Sequence, residues 1–198
     1  MRVLVIYCHP VPESYSAALR DRVLSSASAA GHETRLIDLH AGNFDPVMRA
    51  DERRSYNEMT ARDHPLPDHA ADLAWAQAMV FVYPTWWYGL PAMLKGWLER
   101  VFTPGVAFEV NRQGGAIIPL LAQIRRVAIV TTCGAPFWLS FLVGQPGRKT
   151  LLRGMRALFA RNCRTLYLAH YLMDVSTPQS RAAFLDRVAK RLPRFLGA

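Results

Sequence analysis

Three segments of this chain carry side chains that suit ligand chemistry, and each follows a short apolar run. The first is His9-Pro10-Val11-Pro12-Glu13-Ser14-Tyr15-Ser16, which offers an imidazole, hydroxyls and the start of a helical pattern. Ser14 can cap that helix, and the free N–H groups of its first turn make an anion site. Capping by itself also accounts for Ser14. The second is Pro84-Thr85-Trp86-Trp87-Tyr88-Gly89, with three adjacent aromatics at the end of an apolar run. Loops lie at the surface, so this one suits a flat, partly apolar ligand whose polar edge meets backbone N–H groups. A core cluster or a subunit contact would explain the same residues. The third is Thr131-Thr132-Cys133-Gly134-Ala135-Pro136, where small residues let backbone approach a ligand. Phe137 and Trp138 then add apolar surface.

The elements that would position these segments alternate between strand and helix. Strands are expected at residues 2–7, 33–39, 79–83, 126–132 and 165–170. Helices are expected at 14–30, with Gly31 as the stop, and at 68–77, capped by Asp68. Further helices are expected at 90–102, 149–159 and 178–192, the last with Thr177 as cap and Pro178 at its first position. Residues 43–65 are polar and read as a long excursion. Pro104-Gly105 and Gly114-Gly115 mark turns, and Pro84 is expected to stop strand pairing. Such alternation implies one α/β domain over residues 1–198, a doubly wound parallel sheet with helices on both faces. Ligands of these sheets bind outside the carboxyl ends of the strands, where the three segments would meet.

Composition removes several classes of function. The net charge is +9, from 24 Lys+Arg against 15 Asp+Glu, but the cations are dispersed and no basic tract alternates with aromatics. Surface solvation explains this charge better than nucleic acid does, and any membrane contact would be peripheral. No apolar run reaches the roughly 18 to 20 residues that span a bilayer. The N-terminal run meets Cys8-His9-Pro10 without a small-residue cleavage site, so a buried strand and a cytoplasmic location are expected. Cys8, Cys133 and Cys163 have neither disulfide-framework nor metal spacing. The glycine-rich nucleotide fingerprints are absent as well.

The block Gly89-Leu90-Pro91-Ala92-Met93-Leu94-Lys95-Gly96-Trp97 is the most specific signal. Together with His9-Pro10, Ser14-Tyr15-Ser16, Phe44-Asp45-Pro46-Val47 and Thr131-Thr132-Cys133-Gly134, it resembles the flavodoxin-like NAD(P)H:quinone oxidoreductases of the DT-diaphorase type. The resemblance covers most of the chain. It implies a flavodoxin-like sheet of order 2-1-3-4-5, a bound flavin, NAD(P)H as reductant, a quinone or related aromatic acceptor, and a homodimer. His9, Ser14, Tyr15 and Ser16 would hold the flavin phosphate. Pro84, Thr85, Trp86, Trp87 and Tyr88 would wrap the ring, and Thr131, Thr132, Cys133 and Gly134 would border its N1/O2 side. Trp87, Tyr88, Phe108 and Trp138 would form apolar walls for the substrate. The implied two-electron exchange is ping-pong and requires no side-chain nucleophile.

The chain also departs from that family. Leu139 and Gln145 stand where a tyrosine–histidine pair is familiar, and Cys133 stands where glycine is common. The chain lacks the longer relatives' C-terminal segment, which favours FMN, with FAD as the alternative. Two other roles fit the resemblance less closely. One is a flavin-binding ancillary protein of a potassium-efflux system, and the other is a one-electron carrier of the flavodoxin kind. The basic charge opposes the second.

Overall fold

In the computed structural model, which describes residues 1–111 and 115–197, the apolar runs become a five-stranded parallel sheet. Its strands are β1 (Arg2–Tyr7), β2 (Glu33–Asp38), β3 (Ala78–Thr85), β6 (Arg126–Cys133) and β7 (Arg164–His170), in the order β2-β1-β3-β6-β7. Skipping the small hairpin between β3 and β6, this is the expected 2-1-3-4-5 order. That hairpin, β4 (Phe108–Val110) with β5 (Ile117–Pro119), is antiparallel and stands apart from the main sheet. Its strands are short and largely exposed, so they carry little periodic signal. Gly105, at φ 77°, donates its N–H to Phe108 O and makes the expected turn before the hairpin. Gly115 is also at positive φ, whereas Gly114 of the same expected turn lies outside the described residues.

The central strands read as continuous apolar runs because both faces are covered. Leu4, Ile6, Met79, Phe81 and Ile129 point to one core with α3 (Pro67–Trp75) and α4 (Ala92–Val101). Val3, Val5, Val80, Val82 and Val130 point to the other, with α1 (Tyr15–Ala29) and α7 (Pro178–Leu196). Each of the central strands β1, β3 and β6 feeds both cores through its two-residue alternation.

Local caps set the long helices. Ser14 Oγ accepts the Ala17 N–H at 3.2 Å, and at the other end Gly31 takes φ 75°. There the His32 N–H reaches Ala27 O and the Gly31 N–H reaches Ser28 O, a Schellman stop. Thr177 and Ser180 form a reciprocal capping box on α7. Two expectations are corrected. Asp68 does not cap α3; it sits in the first turn, behind Pro67. Residues 149–159 are not one helix but α6 (Pro146–Lys149), a π-turn at Thr150–Gly154 and a 3₁₀ turn at Arg156–Leu158. A further short helix, α5 (Phe137–Leu142), follows β6.

The polar excursion contains α2 (Ala50–Ser55) and is pinned to α4. A Cβ at Gly96 would fall 2.2 Å from Pro46 O, so only glycine admits that close approach. The buried Arg100 guanidinium donates to both Glu52 carboxylate oxygens, at 2.9 and 3.0 Å, and to Asp45 O.

Candidate ligand cavity at the strand ends

The carboxyl ends of β1, β3, β6 and β7 border a cavity of about 870 Å³, within the range typical of small-molecule sites. His9 comes to it from the segment after β1. Its Nδ1 accepts the Val11 N–H at 3.0 Å, and its ring lies 6.0 Å from that of Trp86. Burial, aided by the charge of His40, holds this imidazole below its ordinary pKa.

β3 delivers Pro84 to Tyr88. Pairing does not stop at Pro84 as expected; it continues through Pro84↔Thr132 and Thr85↔Cys133. The proline is tolerated because β1 has already ended, its last partner being Val82, so the missing donor faces no strand. Beyond Thr85 the chain reverses. Trp87 and Tyr88 both take left-handed backbone, at φ 48° and 61°, and the Gly89 N–H closes the turn on Trp86 O at 2.9 Å. Two consecutive non-glycine residues in this region cost about 1–2 kcal/mol each, and strain of this kind clusters at functional sites. Among the described residues, the N–H groups of Trp87 and Tyr88 have no partner. Trp87 is 96% exposed, which removes the core-cluster reading of this loop.

β6 delivers Thr132, Cys133 and Gly134 to the cavity wall. Thr131, fully buried, lies beneath: its hydroxyl donates to Tyr83 O at 2.7 Å and lies 2.9 Å from Thr85 Oγ1. Ala135 and Leu139 continue the wall, and Met173 and Asp174 close it from the loop after β7.

The expected residues therefore separate into two groups. His9, Pro84, Thr85, Trp86, Trp87, Tyr88, Thr132, Cys133 and Gly134 line the cavity, and Thr131 supports it. Ser14, Tyr15 and Ser16 lie at the neighbouring start of α1 rather than in the wall. There the Tyr15 and Ser16 N–H groups are unpaired among the described residues. The Tyr15 hydroxyl instead donates to Arg181 O at 2.7 Å, and burial pushes its pKa up to about 12. Phe108 packs on the core from β4, and Trp138 stands exposed on α5. Neither lines this cavity within one chain. Of the two departures, Leu139 faces the cavity, whereas Gln145 turns away. Its side chain donates to Tyr171 Oη at 3.0 Å and accepts from Arg148 at 2.8 Å. Met173 and Asp174 carry no signal in the sequence beyond following the fifth strand, whose carboxyl end lies on the same edge of the sheet as the other three.

The donor set fits a flavin. A strained aromatic turn presents free N–H groups beside apolar walls, and a helix start with unpaired N–H groups lies next to it. Residues 1–192 match the family described as having a flavodoxin-like fold. The chain belongs to that family.

Its relatives include an uncharacterized NAD(P)H oxidoreductase of Escherichia coli (strain K12), 32% identical over 54% of this chain and 55% of that protein. NAD(P)H dehydrogenase [quinone] 1 of Cavia porcellus is 30% identical over 54% of this chain and 45% of its own length. Matches to the first curated relatives span only 45%, 55% and 64% of their lengths. Among solved structures, an NAD(P)H:quinone oxidoreductase from Methanothermobacter marburgensis superposes with a TM-score of 0.77 and 26% identity, covering 99% and 98% of the two chains. An FMN-dependent NADH-azoreductase from Bacillus anthracis, in complex with FMN, shares the fold, with a TM-score of 0.74, 16% identity, and coverage of 100% and 99%. Among the described residues no helix is long and apolar enough to cross a membrane, and no group of His, Cys, Asp and Glu is placed to hold a metal.

Proposed function

We propose that this chain is a flavin-dependent NAD(P)H oxidoreductase acting on quinones or related aromatic acceptors, with FMN as its cofactor. The observation that carries this reading is the strained Trp87-Tyr88 turn, whose two N–H groups are unpaired among the described residues and which lines an open cavity beside β6. The names of the relatives and the FMN held by a protein of the same fold support it. A bound flavin would supply two-electron transfer between a reduced nicotinamide and the acceptor.

In this reading the chain's own residues bind and orient. The N–H groups of Tyr15 and Ser16, with the Ser14 and Ser16 hydroxyls and His9, hold the phosphate at the start of α1. Pro84 to Tyr88 wrap one edge of the ring, and Thr132, Cys133 and Gly134 border the other, with Thr131 holding the two strand ends together. Trp87 and Tyr88 form the wall against which reductant and acceptor stack in turn, a ping-pong sequence that relies on proximity rather than a nucleophile. The exposed α5 side chains Phe137, Trp138, Phe141 and Leu142 beside this cavity suit a second copy of the chain. The partner subunit's Phe108 would then complete the substrate wall. The unit is taken as one domain over residues 1–198, working in the cytoplasm.

The test is direct. Purified protein should be yellow, or turn yellow with FMN, and should oxidise NADH or NADPH steadily with a quinone but not with a one-electron cytochrome acceptor. Protein that stays colourless with both FMN and FAD would sink the reading.

A further inference from the structure

We propose that the Asp174 carboxylate is a positioning charge that sets the redox potential of a flavin in the strand-end cavity, by opposing its reduced, anionic form. This inference rests on the flavin binding proposed above. Asp174 lies on the 3₁₀ turn Met173–Val175 that follows β7. The turn is entered through Leu172 in left-handed backbone, φ 55°, and the Leu172 N–H reaches Ala135 O at 3.4 Å, tying it to the loop after β6. The carboxylate sits against Gly134: a Cβ at that position would fall 2.4 Å from Asp174 Oδ2. With no side chain on Gly134, the backbone after β6 and the carboxylate lie side by side.

Among the described residues nothing pairs with this carboxylate. Among the described residues Asp174 makes no hydrogen bond and no ion pair. Among the described residues the cavity wall contains no lysine or arginine, although the chain as a whole carries +9. Its one imidazole, His9, comes from the segment after β1, and burial holds its pKa below the ordinary value. A ring seated between the Trp87-Tyr88 turn and Gly134 would meet the exposed Asp174 carboxylate on one edge.

The oxidised ring is neutral and hardly senses such a charge, whereas the two-electron-reduced ring is an anion at neutral pH. A like charge a few ångströms away, in a partly solvated cleft, changes their relative binding by about tenfold. A two-electron couple registers a tenfold change as ~30 mV.

The measurement is the midpoint potential of bound FMN, together with the dissociation constant of oxidised FMN, for the wild type, Asp174→Asn, Asp174→Ser, Asp174→Glu and the exposed α7 control Asp186→Asn. The expected result is a potential raised by ~30 mV in both neutral variants, with Asp174→Glu and Asp186→Asn close to wild type. An unmoved potential in Asp174→Asn and Asp174→Ser overturns the proposal, even if both weaken oxidised FMN binding, because the carboxylate then only positions the ligand. An equal shift in Asp174→Glu overturns it too, since charge would not be the cause. Wild-type protein that binds neither FMN nor FAD would instead bring down the functional reading itself.

Discussion

The Thr85 and Thr131 hydroxyl oxygens lie 2.9 Å apart, joining the ends of β3 and β6 directly beneath the cavity. Thr131 also donates to Tyr83 O, so one buried hydroxyl holds both the neighbouring strand and the segment that leads into the aromatic turn. The two loops that would grip a planar ligand are thereby set at a fixed separation.

Thr131→Val should cost about 1 kcal/mol of stability, the usual worth of a buried hydrogen bond lost to an apolar isostere. It should also weaken FMN binding, because Thr85 loses its partner. Urea unfolding and a flavin titration on the same preparation check both. Unchanged values in both would remove this pair from the account of the site.

Trp87→Ala should behave in the opposite way. The side chain is 96% exposed, so stability should stay within about 0.5 kcal/mol of wild type. Flavin affinity should fall, or the apparent KM for reductant and acceptor should rise, by roughly tenfold, as expected for a lost aromatic contact of about 1 kcal/mol or more. Flavin fluorescence and steady-state kinetics are the readouts, and wild-type constants would contradict the assignment.

Gly96→Ala places a methyl group 2.2 Å from Pro46 O, in the seam between the polar excursion and α4. Backbone must move to admit it, and overpacking of this kind costs about 1–3 kcal/mol. The denaturation midpoint should fall with little change in the slope. A midpoint equal to wild type would mean that the excursion yields freely.

Acid should destabilise the fold before the carboxylates titrate. Burial lowers the pKa of His9, His32, His64 and His69. A lowered folded pKa means that, once the pH falls below about 6.5, the unfolded chain binds protons that the folded one refuses. The stability these histidines contribute is therefore complete above that pH and is lost as the pH falls toward their folded values. Urea midpoints between pH 8 and pH 5 should decline on the acid side, and His64→Gln should flatten the decline. A profile flat from pH 7 to pH 5 would contradict the burial of these rings.

Much of this molecule was legible because its causes are local. The apolar runs around Val5, Val80 and Ile129 could only be strands buried on both faces, and Ser14, Gly31 and Thr177 mark helix ends through bonds to residues a few places away. The three ligand-facing segments were readable for the same reason, since each follows its own strand. What depended on distant contacts was not readable. Leu151 and Met155 sit in a sequence with helical spacing, yet the backbone there widens into a π-turn. The hairpin of Phe108 and Ile117 has too few buried positions to show a period. Leu139 and Gln145 stand six residues apart in a segment that turns through left-handed backbone at Gln145, and only the fold shows that one faces the cavity and the other faces Tyr171. Asp174 is forty residues from Gly134 in the chain, and the pairing of β6 with β7 brings the carboxylate against it. Sequence by itself determined the five strands of the main sheet, the helix ends at Ser14, Gly31 and Thr177, and the chemistry offered after β1, β3 and β6. Tertiary structure alone decided which side chains share the cavity, because that depends on the register of parallel strands and on backbone turns that no local pattern encodes.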